Sequence, residues 1–94
     1  MKKLYNFSWD CGRQGELEGM FIAEEKEVKD LIGKEVNFGE VLGKHSEVYG
    51  TIEEGEITEV KVSETTVKEM EKVIGTTISG YNPLEYQEEE EEED

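Results

Sequence analysis

Glycines punctuate residues 33–55 and divide them into apolar runs that are too short to form helices. The runs are rich in valine, tyrosine and threonine, which favour strands, and glycines between such runs are typical of tight turns. We therefore predict two strands, over residues 34–42 and 47–54, joined by a hairpin. Its polar tip is Lys44-His45-Ser46-Glu47. We expect this hairpin to form the centre of the sheet.

The N-terminal segment also predicts a hairpin. Residues 3–10 alternate in polarity, which is typical of a half-buried strand and places three aromatic side chains on one face: Tyr5, Phe7 and Trp9. Two glycines around polar residues in 11–15 indicate the turn, and residues 16–23 form the return strand. Gly19 within that strand indicates either a bulge or close packing beneath a large aromatic such as Trp9.

Two other segments have the period of an α-helix. Residues 24–32 have one apolar face, glutamates near the start, and Gly33 as a natural C-cap. A second helix begins within Ser63–Thr66 and ends at Gly75. Thr66 and Glu69 have the spacing of a capping box. Its apolar stripe consists of Val67, Met70, Val73 and Ile74.

A strand at 57–62 and a short extended piece at 76–79 complete the pattern. The order β-β-α-β-β-β-α predicts an α+β domain over residues 1–87, with a mainly antiparallel sheet of about five strands and two short helices. Residues 88–94 are all acidic and predict a disordered tail. We expect two residues to pin the base of this tail to the core, Leu84 and Tyr86.

The charge balance limits the kinds of partner. The chain has 25 acidic and 10 basic residues and a net charge of −15. Without the acidic tail, residues 1–87 retain 18 acidic residues and a net charge of −8. Such a field repels nucleic acid and anionic lipid and attracts basic surfaces. We therefore expect a protein partner with a basic surface, and neither direct nucleic-acid binding nor membrane binding.

Three features favour a cytoplasmic location. The sequence opens without a basic and apolar leader, and no apolar run approaches the roughly 18 residues of a membrane span. The single cysteine, Cys11, cannot form an internal disulfide, which suits a reducing compartment. Cys11 lies close to Asp10 and Arg13, and the carboxylate opposes the activating effect of the cation. We interpret Cys11 as a partly buried strand-end residue.

The hairpin tip holds the only histidine, His45, beside Ser46 and Glu47. Nucleophilic catalysis needs a base within hydrogen-bond reach and an oxyanion site, and adjacent residues on a tip rarely converge in this way. We expect a protein that is not an enzyme and has no metal site or cofactor. One alternative is a small-molecule or nucleotide binder, or a hydrolase, that uses His45 with Ser46, Glu47 or Tyr49. Another is a structural factor that pairs through a sheet edge.

A run of carboxylates and the hairpin tip together form the predicted partner-binding surface. Rows of carboxylates imitate a phosphate backbone and suit a basic groove, and exposed tips on rigid hairpins make good probes. The residues are Glu53, Glu54, Glu56, Glu59, Lys44, His45, Ser46 and Glu47. A surface that only keeps the protein in solution is the competing interpretation.

Two stretches, GKEVNFGEVLGKHSEVYGTIEEGEI at 33–57 and SGYNPLEY at 79–86, resemble small acidic proteins of phage and prophage genomes. Such viral proteins are often inhibitors of host defence and include anti-CRISPR proteins that mimic DNA. The resemblance implies an inhibitor that blocks the basic nucleic-acid-binding groove of a defence protein. It assigns no individual site residue.

Overall fold

Six strands and two α-helices form an α+β fold in the computed structural model, which describes residues 2–11, 15–41 and 47–87. In chain order the elements are β1 (Lys2–Asp10), β2 (Glu16–Glu24), α1 (Glu25–Leu31), β3 (Glu35–Gly39), β4 (Val48–Thr51), β5 (Ile57–Val60), α2 (Glu64–Val73), β6 (Thr77–Gly80) and a 3₁₀ helix (Pro83–Tyr86). All the strand pairs are antiparallel. The predicted fold class is confirmed, and the extended piece expected at 76–79 is strand β6.

The long hairpin of β1 and β2 is the centre of the larger sheet. Its nine-residue strands pair from Lys2 opposite Glu24 to Asp10 opposite Glu16. Strand β5 pairs with the other edge of β1 and β6 with the other edge of β2, so the strand order is β5-β1-β2-β6. Strands β3 and β4 form a separate two-stranded sheet. The expectation that residues 33–55 form the sheet centre is therefore wrong.

Strands β3 and β4 are shorter than the sequence predicts. Gly39 has a φ of 78°, a left-handed conformation that ends the extended run, and its N–H donates to Asn37 Oδ1 at 2.8 Å. The register shifts between Asn37 and Gly39, and Phe38 in this bulge is buried. The two strands, of five and four residues, pair with each other and with no described strand of the larger sheet. They pack over the larger sheet instead.

The larger core lies between the aromatic face of the β1–β2 hairpin and a layer formed by α1, β3 and β4. As predicted, one face of β1 is buried through Tyr5, Phe7 and Trp9. Helix α1 buries Val28 and Leu31 against this face. Gly33 follows the C-cap with a φ of 95°, which confirms its predicted role at the end of the helix.

Phe38 connects the two sheets to the C-terminal segment. Its ring centroid lies 5.7 Å from Phe7, 5.5 Å from Trp9 and 4.7 Å from Tyr86. Ring pairs at roughly 4.5–7 Å stabilise a fold beyond the area that they bury. Leu84 and Tyr86 both pack against the larger core, as expected. The predicted tail, residues 88–94, lies outside the described residues.

Helix α2 covers the opposite face of the larger sheet. It begins after Ser63, whose Oγ accepts a hydrogen bond from the backbone N–H of Thr66 at 3.1 Å. The capping box predicted at Thr66 and Glu69 is therefore wrong, because the N-cap lies three residues earlier. No helix in the described part of the chain is long and apolar enough to cross a bilayer.

Only the first half of the predicted α2 stripe is buried. Val67 packs with Leu4 and Ile22 in a second, smaller core, and Met70 lies at its margin. Val73 and Ile74 are 80% and 54% exposed. The stripe packs against the sheet through Val67 and Met70, in the first two turns of the helix.

Gly19 allows the chain after β6 to cross β2 closely. A Cβ at position 19 would overlap the carbonyl oxygen of Tyr81. The backbone N–H of Tyr81 also donates a hydrogen bond to the carbonyl oxygen of Glu18 at 3.1 Å. The predicted close packing is therefore present, but the neighbour is the backbone of Tyr81 rather than the ring of Trp9. The register between β2 and β6 shifts at the next step, between Met20 and Phe21.

We expect Gly19→Ala to destabilise the fold by about 1–3 kcal/mol, because backbone rather than a flexible side chain occupies the space of the added methyl group. For a chain of this size, each kcal/mol lowers the Tm by roughly 4–8 °C. Gly50→Ala is the matched control, since a Cβ there meets Trp9 at an ordinary contact distance of 3.4 Å. Thermal unfolding that gives the same Tm for both variants would contradict the close crossing.

Candidate functional site

An open pocket lies where the end of β1 meets β4 and the turn before β5. It has a volume of about 240 Å³. Its lining comes from three segments of the chain and consists of Trp9, Asp10, Cys11, Glu47, Val48, Tyr49 and Glu56. The lining thus combines aromatic rings with three carboxylates, and none of these residues is a cation.

Trp9 and Glu56 form the floor of this pocket. The period of two in β1 turns Trp9 toward the core, where its exposed fraction is 8%. A buried indole needs an acceptor, and Trp9 Nε1–H donates to Glu56 Oε1 at 2.7 Å. Glu56 Oε1 also accepts the backbone N–H of Glu53 at 2.8 Å, and Ser8 N–H donates to the Glu56 carbonyl at 3.0 Å. Glu56 is therefore fixed by its side chain and its backbone.

Glu47 and Tyr49 form the outer wall. Glu47 Oε2 accepts a hydrogen bond from Asn37 Nδ2 at 3.1 Å, which ties the residue before β4 to β3. Val48 is buried in the larger core, so the next residue along the strand, Tyr49, faces outward and is 67% exposed. The structure thus presents an exposed ring beside two carboxylates that have their own hydrogen-bond donors.

Four ion pairs lie at the opposite end of β1. They join Lys2 to Glu71 at 2.6 Å, Lys3 to Glu25 and Glu59 at 3.5 and 3.7 Å, and Lys61 to Glu59 at 4.0 Å. The hydrogen bond from Lys2 to Glu71 raises the pKa of Lys2, and the negative charge of Glu71 raises it further. Glu47 and Glu56, at the pocket end, have no lysine partner among the described residues. Glu47 and Glu56 therefore differ in charge compensation from Glu59 and Glu71.

The structure brings together only some of the predicted site residues. Glu47 and Glu56 line the pocket, and Glu53 and Glu54 are exposed in the adjacent turn. Glu59 instead pairs with lysines at the far end of β1, so its charge is compensated locally. The remaining predicted residues, Lys44, His45 and Ser46, lie outside the described residues.

Sequence reasoning missed Trp9 as a site residue, and it named Tyr49 only in the hydrolase or small-molecule alternative and Asp10 only as a neighbour of Cys11. Trp9 was interpreted only as a core aromatic, although a buried indole N–H signals that an acceptor must lie nearby. Nothing in the sequence indicates that the acceptor is Glu56, because 47 positions separate the two residues.

The larger pocket on the surface of α1 carries no comparable chemistry. It measures about 420 Å³ and is lined by residues of both charge signs, Glu24, Glu25, Lys26, Lys29 and Asp30. It has no aromatic wall. Across the described ranges, no group of three His, Cys, Asp or Glu side chains could hold a metal ion. We therefore consider the smaller pocket at the end of β1 the better candidate.

The hydrolase alternative remains a prediction. Two of its residues, Glu47 and Tyr49, line the pocket, whereas His45 and Ser46 lie outside the described residues. Cys11 is partly buried at the end of β1, as predicted. Burial raises the pKa of the Cys11 thiol, and the negative charge of Asp10 raises it further. The pocket therefore does not activate Cys11 as a nucleophile.

Comparison of the chain with protein-family models, curated proteins and solved structures gave no match. The chemistry of the pocket itself is therefore the basis for assigning a function.

We expect Cys11 to react slowly with iodoacetamide at pH 8. Its pKa lies above the ordinary 9.0, so its thiolate fraction at this pH is below that of a free cysteine. The labelling rate, followed by mass spectrometry, should rise about tenfold per pH unit through pH 9, because the thiolate is the reacting species. The unfolded chain in urea serves as the control and should react faster. A rate that levels off below pH 9 in the folded protein would contradict the raised pKa.

Proposed function

We propose that this chain is an acidic, non-enzymatic binding module that acts in the cytoplasm on a protein with a basic surface. The observation that carries the proposal is the pocket, where three carboxylates and two aromatic side chains meet and no described lining residue is a cation. Such a site matches a positively charged partner and repels phosphate groups.

The placement of the lysines supports binding of a basic partner at the pocket. Lys2, Lys3 and Lys61 compensate carboxylates at the far end of β1, whereas Glu53 and Glu54 are exposed beside the pocket. Exposed carboxylates that pair with no described lysine therefore lie beside the pocket, away from these three lysines. A partner with a basic surface would be steered toward the pocket, and the association rate would fall as salt screens the field.

The proposed partner is a nucleic-acid-binding protein, and the proposed effect is inhibition by occupying its basic groove. A net charge of −15 on 94 residues gives the chain a charge density that competes with a phosphate backbone. The resemblance of residues 33–57 and 79–86 to small acidic phage proteins supports the narrower proposal of a phage-encoded inhibitor of host defence.

The test is capture from a nuclease-treated bacterial extract on the immobilised chain, followed by binding measurements with each purified captured protein. We expect a basic nucleic-acid-binding protein that competes with DNA for the chain and whose affinity falls about tenfold or more between 50 and 300 mM salt. Affinity that stays constant over this salt range, or a captured protein that binds DNA and the chain at the same time, would contradict the proposal.

Replacing carboxylates beside the pocket by neutral amides should weaken this complex more than the same replacement elsewhere on the surface. We expect Glu53→Gln with Glu54→Gln to reduce affinity about fivefold or more, since a charge pair at 4 Å is worth about 1 kcal/mol in water. The matched control, Glu64→Gln with Glu69→Gln, makes the same change in net charge at exposed positions on α2. Equal effects of the two double variants would mean that only the total charge of the chain matters.

A further inference from the structure

The pocket contains two carboxylates, and in each of them only one of the two oxygens accepts hydrogen bonds that hold the group in place. Glu56 Oε1 accepts from Trp9 and from the backbone of Glu53, at 2.7 and 2.8 Å, and Glu47 Oε2 accepts from Asn37 at 3.1 Å. The other oxygens, Glu56 Oε2 and Glu47 Oε1, accept no hydrogen bond from a described residue. Groups fixed in this way lose little conformational entropy when a ligand binds them.

The exposed face of Tyr49 adds a second kind of recognition. Its ring is 67% exposed and borders the same pocket as both carboxylates. Aromatic faces attract cations, and a planar guanidinium group both stacks on such a ring and forms bidentate hydrogen bonds to carboxylates. Trp9 contributes less to this wall, because its ring is 8% exposed and lies against Gly50.

The size and charge of the pocket exclude larger or anionic occupants. Pockets for drug-sized ligands have volumes of roughly 300–1,000 Å³, and this pocket of about 240 Å³ is smaller. The carboxylates oppose a phosphate-bearing ligand. The described residues also lack a group of three side chains that could hold a metal ion. The best remaining occupant is a single cationic side chain.

We propose that the pocket binds the guanidinium group of one arginine side chain on the surface of a partner protein, between the ring of Tyr49 and the carboxylates of Glu47 and Glu56. This inference rests on the proposed function and specifies the group that the partner supplies. Arginine is favoured over lysine because an ammonium group is a compact, strongly hydrated charge that cannot stack or bind in a forked geometry. Asn37 acts as a positioning residue, because it orients Glu47.

Intrinsic fluorescence provides the test, because Trp9 is the only tryptophan in the chain and lines the pocket. The probes are two peptides of equal charge, Ac-Lys-Gly-Arg-Gly-Lys-NH₂ and Ac-Lys-Gly-Lys-Gly-Lys-NH₂, titrated into the full chain at low salt. We expect the arginine peptide to change the Trp9 emission and to bind at least about fivefold more tightly than the lysine peptide. Equal affinities for the two peptides would overturn the proposal.

Substitutions at exposed positions separate the pocket from the general field. We expect Tyr49→Ala to reduce affinity for the arginine peptide about fivefold or more, while Tyr49→Phe, which keeps the ring, should retain it within about twofold. Glu47→Gln should weaken binding more than Glu54→Gln, which makes the same charge change outside the lining. An arginine preference that survives Tyr49→Ala and Glu47→Gln would overturn the assignment to this pocket.

The two proposals fail in different ways. If the protein partner binds with strong salt dependence but the peptides show no arginine preference, the binding module stands and the arginine pocket is wrong. If the arginine preference is present but no basic partner competes with DNA, the pocket stands and the proposed inhibition is wrong.

Discussion

The packing of Phe38 onto the aromatic face of β1 is the contact on which the rest of the structure depends. Phe38 joins β3 to Phe7 and Trp9 and, through Tyr86, to the C-terminal 3₁₀ helix. Removing a buried phenylalanine costs about 3–5 kcal/mol, a large part of the 5–15 kcal/mol that typically stabilises a domain. The same contact positions the β3–β4 sheet over the larger sheet and so brings Tyr49 and Glu47 beside Trp9. The pocket is therefore a consequence of how the two sheets pack.

Strand β1 also separates Lys2 and Lys3 from the pocket carboxylates. Its nine residues span roughly 27 Å, from Lys2 and Lys3 at one end to Asp10 at the other. This distance is more than three times the Debye length of about 8 Å at physiological salt, so the lysines at the start of β1 do little to screen the pocket carboxylates. The ion pairs with Glu25, Glu59 and Glu71 use those lysines locally. The length of β1 thus keeps these paired lysines away from Glu47 and Glu56.

Much of the secondary structure could be predicted from the sequence, because its signals are local. The alternation in 3–10 gave the buried face of β1, and Gly33 and Gly75 marked helix ends through their positive φ. The division into two sheets could not be predicted, since it depends on a bulge at Phe38 and on which face each hairpin buries. The close crossing at Gly19 was anticipated, but its neighbour, Tyr81, comes from a distant part of the chain. Of the candidate site, the sequence predicted Glu47 and Glu56 as acidic binding residues and named Tyr49 only in the hydrolase or small-molecule alternative, but it did not predict Trp9 beside them.

The sequence by itself determined the α+β class, the buried face of β1 and the excess of negative charge, because these follow from periodicity and composition. Only the tertiary structure decided which carboxylates are compensated and which line a pocket. Glu56 and Glu59 are three residues apart, yet one accepts a hydrogen bond from a buried indole and the other pairs with two lysines. That difference arises from the antiparallel register of β5 on β1, which sets Glu59 opposite Tyr5 near the lysine end and Glu56 beside Ser8 near the pocket.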